Sequence, residues 1–290
     1  MPAKKRKSPV RKQSPIPPSS YSSYPVQQNQ QSPITFILLI VVVVLLGFTL
    51  YLSSQISGLK KSIEAGAQAG GTQQQQQQPA AVKVSMNQIK KFFANGFIHF
   101  GDANKKVLIV EVNDPSCPYC HIAAGQDPEL AAQSGNFKYI TDGGTYTPPV
   151  TEMRKLVESG QASYAMIYGT GHGNGKLASE ALYCANEKGK FWEAHDKLMS
   201  NAGYTLLNDQ VQNDRSKSSQ LVDFLSDVVD SNFLSGCLSS AKYEKSLSRD
   251  ENLARQIGFQ GTPHFVVNTT QFGGAQDFKK ISPAIQAALK

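Results

Sequence analysis

Hydrophobic and polar positions are distributed in very different ways along this chain. From Ile34 to Leu52, "ITFILLIVVVVLLGFTLYL", nineteen consecutive positions carry no charge. That is about the length a helix needs to cross a bilayer's hydrocarbon core, and it predicts a single transmembrane helix over 34–52. A cleavable signal peptide has a shorter apolar region, about 7–15 residues, ending in a small-residue cleavage site, so an anchor is the better reading. Residues 1–33 are rich in Pro, Ser, Gln and Tyr without an apolar period, the pattern of a disordered tail. Residues 53–84 centre on "EAGAQAGGTQQQQQQPAA" and read as a flexible tether, with a root-mean-square reach of roughly 30 Å as a coil. From Ser85 to Lys290 the pattern is that of a globular domain.

Within that domain "KVLIVEV", Lys106 to Val112, is a nearly unbroken apolar run rich in β-branched residues, which suits a strand buried on both faces. "ASYAMIY", Ala162 to Tyr168, predicts a second. Four helical patterns then follow with no strand between them. They run from about Leu177 to Ala185, from Phe191 to Met199, through Leu221, Leu225, Val228 and Val229, and through Tyr243, Leu247, Ala254 and Ile257, with Gly189 and Gly258 placed as terminators. "HFVVN", His264 to Asn268, returns to strand and "ISPAIQAALK" closes with a helix. The expected fold class is α/β: a small sheet with a helical block, about residues 170–257, inserted into it.

Charge sharpens the topology. Of the formal +7, six units come from Lys4, Lys5, Arg6, Lys7, Arg11 and Lys12, and the other 257 residues carry 23 basic and 22 acidic side chains. A nearly neutral globular part does not read as a polyanion binder, and no nucleic-acid partner is expected. Basic residues before the apolar run, against Lys60 and Lys61 behind it, place the N-terminus in the cytoplasm and the globular domain outside the cell membrane. That compartment permits disulfides.

The chemistry concentrates in "VEVNDPSCPYCH", Val110 to His121. Cys-x-x-Cys is the spacing of a redox dithiol, and Cys-x-x-Cys-His that of covalent haem attachment with His121 as axial ligand. A strand running through the turn-forming "NDPS" to Cys117, with Pro118 suited to the first helical position, puts Cys117 at a helix start, exposed, where backbone N–H groups and the helix dipole favour a thiolate. Cys120 lies one turn deeper, as the resolving thiol. Glu111, a lone acid in an apolar strand, reads equally as a buried proton acceptor for Cys120 and as an edge-strand acid facing water. Zinc would want a second close Cys pair, which is missing. His99, His172 and His195 lack ligand spacing, Phe191 and Trp192 read as core, and His121, without haem, as a first-helix surface residue. Neither a cofactor nor a metal is expected.

Three ordered segments, "DANKKVLIVEVNDPSCPYC", "ALYCANEKGKFWEAHDKLM" and "ARQIGFQGTPHFVVN", resemble blocks of the DsbA-like thiol:disulfide oxidoreductases, including the acid six residues before the first Cys. The resemblance covers about Asp102 to Lys290 and implies a thioredoxin fold interrupted by a helical domain. It implies that Pro263 in "GTPHF" is a cis-proline facing the Cys117-Pro118-Tyr119-Cys120 motif, with the Thr262 backbone pairing with substrate peptide; by itself Pro263 would be an ordinary turn proline. His264 then begins a strand. Four Cys allow three pairings, and the family often has a pair in the helical block, which implies a structural Cys184–Cys237 disulfide; a relay pair and two unrelated buried thiols are the other readings. The segment "GQDPELAAQSGNFKYITDGGTYTPPV" is longer and richer in Gly and Pro than the resemblance leads one to expect. The implied activity is oxidation of thiols in unfolded exported proteins, with a quinone-linked membrane reoxidase as partner. A reductase or isomerase on the same scaffold is the alternative, and a haem protein or a non-catalytic binding module is a more distant one.

Overall fold

A computed structural model of the chain describes residues 42, 44–53 and 82–290. Residues 42 and 44–53 are helical with exposed apolar side chains, Val44, Leu45, Leu46, Phe48 and Leu50 among them. Among the described residues no helix is long and apolar enough to cross a membrane. The predicted tail, residues 34–41 and 43 of the predicted span, and residues 54–81 of the predicted tether lie outside the described residues. Val84, at the end of the stretch read as tether, is buried in the folded domain, which therefore starts slightly earlier than Ser85.

The domain is built on a five-stranded sheet in the order β1-β3-β2-β4-β5, with β1 Ile98–Phe100, β2 Val107–Asn113, β3 Ala162–Tyr168, β4 His264–Val267 and β5 Thr270–Gly273. β2 and β3 run parallel and the remaining pairs antiparallel. Every residue of β2 and β3 is buried, because helices cover both faces of the sheet and leave no position free to be polar without a partner. Alternation sorts the side chains. Val107 and Ile109 belong to the larger core, with Tyr164, Met166 and Tyr168 of β3, whereas Leu108, Val110 and Val112 join Ile89, Phe92, Ala254 and Ile257 on the opposite face.

The larger core lies under α2 Pro118–Ala124, which contributes Ile122 and Ala123, and under α4 Pro149–Glu158, which contributes Val150 and Met153. The opposite face is covered by α1 Met86–Lys90, capped by Ser85 and Gln88 in a reciprocal box, and by α10 Glu244–Gln256. The Gly- and Pro-rich segment after the dithiol holds compact structure: α3 Pro128–Gln133, capped by the Asp127 side chain, a 3₁₀ turn at Ile140–Asp142, and α4. Three helices here, α2, α3 and α4, start on a proline, whose fixed φ and missing N–H suit a first helical position. Gly125 closes α2 at φ 79°, where a Cβ would run into Pro148 and Thr151.

The inserted block comprises α5 Lys176–Glu187, α6 Phe191–Leu198, α7 Asn201–Thr205 continuing into a π-helical turn Leu206–Val211, α8 Ser218–Phe224 and α9 Ser231–Ser239. The single helix expected through Leu221 to Val229 ends at Phe224, and a new helix begins behind Asp230, whose carboxylate accepts from Phe233 N. A disulfide joins Cys184 on α5 to Cys237 on α9, with Cα atoms 6.3 Å apart across a separation of 53 residues. Closing a loop of that length contributes about 4 kcal/mol in the chain-entropy model. The last helix, α11 Phe278–Leu289, packs Ile281 and Ile285 into the larger core.

Candidate active site

Cys117 is the N-cap of α2 and Pro118 its first residue. Its backbone N–H donates to Asp114 O at 2.9 Å, and its Sγ lies 3.4 Å from Thr262 O as donor to acceptor. The Thr262–Pro263 peptide is cis, so the loop before β4 presents the Thr262 carbonyl to the first sulfur of the motif. Both sulfurs are free thiols here; Cys117, expected to be exposed, is only 5 % exposed because the Thr262 turn lies against it, and Cys120 is fully buried. The hydrogen bond from the Cys120 thiol lowers the Cys117 pKa to about 6 against the opposing effect of burial, and the Thr262 side chain and the N–H groups of Cys120 and Tyr119 act in the same direction as Cys120. Burial pushes the Cys120 thiol well above an ordinary thiol, and its contact with Cys117 and the charge of Glu111 add to this. The two sulfurs are thus driven apart, one toward thiolate and one toward thiol.

Glu111 has the strand parity of Val107 and Ile109 and so belongs to the face that α2 covers. It sits mid-strand in β2, between Met166 of β3 and Phe265 of β4, fully buried. The edge-strand reading of this acid is therefore incorrect: β2 is central. Asn113 Nδ2 donates to Oε1 at 2.7 Å and the Tyr164 hydroxyl donates to Oε2. Burial nevertheless raises the Glu111 pKa, with those two hydrogen bonds and His195 opposing.

His121 is corrected as well. Expected on the surface, it is fully buried, with Nδ1 2.8 Å from Met199 O, Nε2 2.7 Å from Pro115 O and its ring edge-on to Tyr204. Burial lowers its pKa, opposed by the Pro115 carbonyl, the Asp127 carboxylate and the Met199 carbonyl. With both ring nitrogens facing carbonyl oxygens inside the protein, His121 does not fit the role of a haem axial ligand. Among the described residues no group of three or more His, Cys, Asp or Glu side chains is placed to hold a metal ion.

Two features of the site escape sequence reasoning. Asp114 is fully buried and its carboxylate accepts five hydrogen bonds: Ser116 N and Oγ at 3.0 and 2.7 Å, and the N–H groups of Gly171, His172 and Gly173 at 2.9, 2.9 and 3.1 Å. It thereby ties the turn before Cys117 to the loop after β3. That loop also reaches the cis-proline turn, since Gly171 packs so closely on Thr262 that a Cβ there would collide with the Thr262 side chain. The second feature is an aromatic rim. Tyr119, 48 % exposed, meets Phe137 edge-on at 5.8 Å, and Phe137 meets Tyr146 at 5.2 Å. Tyr139 fixes this rim by donating its hydroxyl to the carbonyls of Ile122 and Asp127, each at 3.2 Å.

A family model described as thioredoxin matches residues 151–287, beginning after the dithiol. Among solved structures, oxidised BdbD from Bacillus subtilis is similar at 17 % identity with a TM-score of 0.50, over 72 % of this chain and 97 % of that one. The fold is thioredoxin-like. A second DsbA-like neighbour of this thioredoxin-like domain, alpha-DsbA1 from Wolbachia pipientis, aligns at 15 % identity and a TM-score of 0.50, over 68 % of this chain and 92 % of that one. Among curated proteins, the Na(+)/H(+) antiporter NhaA 1 of Salinispora arenicola is 24 % identical over 189 residues, which is 65 % of this chain and 24 % of the antiporter. NhaA 3 of Salinispora tropica is 23 % identical over 190 residues, with the same coverage. The chain thus spans about a quarter of the length of these curated relatives.

Proposed function

We propose that the thioredoxin-like domain is a thiol:disulfide oxidoreductase acting through Cys117 and Cys120 in the oxidising direction. The observation that carries this reading is the split between the two sulfurs, with Cys117 lowered to about 6 and Cys120 raised. A stabilised Cys117 thiolate favours the reduced enzyme, and each pKa unit is worth about 1.4 kcal/mol, or about 30 mV toward the oxidant side. In the forward reaction a substrate thiolate attacks Cys117 Sγ of the Cys117–Cys120 disulfide, and Cys120 leaves. Cys120 is a poor leaving group as a thiolate, and Glu111, whose proton affinity burial raises, exchanges the proton with it. A second substrate thiolate then attacks the substrate sulfur of the mixed disulfide, releasing the substrate disulfide and the Cys117 thiolate. During reoxidation Cys120 returns its proton to Glu111 as it attacks. The Thr262 carbonyl, beside Cys117, is placed to pair with the substrate backbone.

The substrates of this reading are thiols of unfolded exported proteins, and the reoxidant is a quinone-linked membrane partner. The domain is held outside the cell membrane by a single span at 34–52, with the N-terminus in the cytoplasm. The uncharged run and the basic residues ahead of it support the anchor, as do the exposed apolar side chains on helical residues 44–50. The test is the redox equilibrium of the protein against glutathione, with a Cys117→Ser control. A potential above about −180 mV and oxidation of a dithiol peptide that the control abolishes are expected; a value at or below about −270 mV overturns the oxidising direction.

A further inference from the structure

Next to Thr262 the surface opens into a groove of about 1030 Å³, walled by residues 82–84, by the turn that follows α10 and by β5. The Gln271 side chain fixes this wall by donating to Val82 O at 2.6 Å. Two cations, Lys83 and Arg255, line the groove and no Asp or Glu does. Both are exposed, neither is in an ion pair among the described residues, and Arg255 bonds only the Asn252 side chain. Deeper in the same wall, His264 and Thr262 are buried, 6 % and 8 % exposed. The groove also adjoins the reaction: Thr262, which lines it, presents its carbonyl to Cys117 Sγ. A peptide joined to Cys117 has its flanking residues at the groove's mouth.

On the thiol-exchange reading above, we propose that this groove selects substrate peptides with an acidic side chain close to the reacting cysteine. The carboxylate lies between the Lys83 ammonium and the Arg255 guanidinium, the two cations that line the groove. The apolar part of the wall, Val84 and Phe259, takes the neighbouring side chain. A partly solvated site of this kind contributes to choice among partners and to association rate more than to affinity.

The test uses the intact chain in its oxidised form and two dithiol peptides identical except for Glu or Gln beside the first cysteine. The Glu peptide reacts faster by roughly fivefold at low salt, the scale of one or two exposed ion pairs, and the advantage shrinks in 1 M salt. In a Lys83→Gln, Arg255→Gln variant the ratio of the two rates falls to about one. Equal rates in the parent protein, or a preference that survives in the variant, overturn the inference. Versions of both peptides with Ser in place of Cys, titrated by fluorescence anisotropy, separate this from a failure of the redox reading. Tighter binding of the Glu peptide, lost in the variant, supports the groove even if neither peptide is oxidised, and equal binding overturns it.

Discussion

Burial raises the pKa of Glu111 and of Cys120 alike, and the charge of Glu111 is among the causes of the Cys120 shift, so on the proposed reading the two exchange a proton behind Cys117. Glu111→Gln keeps the shape and the hydrogen-bonding capacity toward Asn113 and Tyr164 while removing the exchangeable proton. Stopped-flow measurement of mixed-disulfide formation with a peptide thiol is expected to be slower by roughly 10- to 100-fold, the range of a single positioned acid or base. The alkylation profile of Cys117 keeps its midpoint at about 6, because Glu111 is not among the groups that lower it. The cysteine pair was legible in the sequence, since its spacing is local, whereas the place of Glu111 stays open there because a central position for β2 depends on pairing with the distant β3 and β4. His121 was not legible: its burial depends on Met199, 78 residues away, which supplies a carbonyl that no local pattern announces.

At the scale of elements, the site is a junction of three turns, and Asp114 is the link between two of them. Asp114→Ala leaves four backbone N–H groups, those of Ser116, Gly171, His172 and Gly173, without the buried acceptor that they share. The oxidised protein is expected to lose about 2–4 kcal/mol in urea unfolding. Cys117 alkylation is expected to slow at pH 7 as the turn that orients its helix loosens. The long elements, β2, β3, α5, α6 and α10, stood out in the sequence because burial on both faces of a strand and helical spacing of apolar residues leave strong patterns. The short ones did not. β1 and β5, at three and four residues, are too brief to show alternation, and the prolines that start α3 and α4 read as loop markers when their helical partners are only turns away. The expected helix through Leu221 to Val229 stops at Phe224, and α9 beyond it starts at a local signal, the N-cap Asp230, that the apolar spacing does not show.

For the molecule as a whole, the ionisation of Cys117 couples redox state to stability. In the reduced protein this thiol titrates at about 6 against 9.0 for an ordinary one, so between those values the folded chain has released a proton that the unfolded chain retains. The reduced form therefore gains stability relative to the oxidised form as pH rises from about 6 toward 9, and loses that gain as pH falls back through 6. Cys120, shifted upward, acts only above pH 9 and in the opposite direction. Calorimetry of both forms is expected to show the difference growing by about 2–3 kcal/mol between pH 6 and 8; a difference independent of pH contradicts an ionised Cys117.

The order of the strands has a temporal meaning too. β2, which leads into the motif, is flanked on one side by β3 and on the other by β4, which arrives only after the whole helical block. As a ribosome or a translocon delivers this polypeptide from its N-terminus, both thiols emerge long before the turn that must face them. Until β4 and the turn before it follow, Glu111 lies along an open strand edge in contact with water, and Cys117 has no Thr262 beside it. A chain that stops short of β4 thus has its dithiol without the Thr262 turn that faces Cys117 in the folded domain.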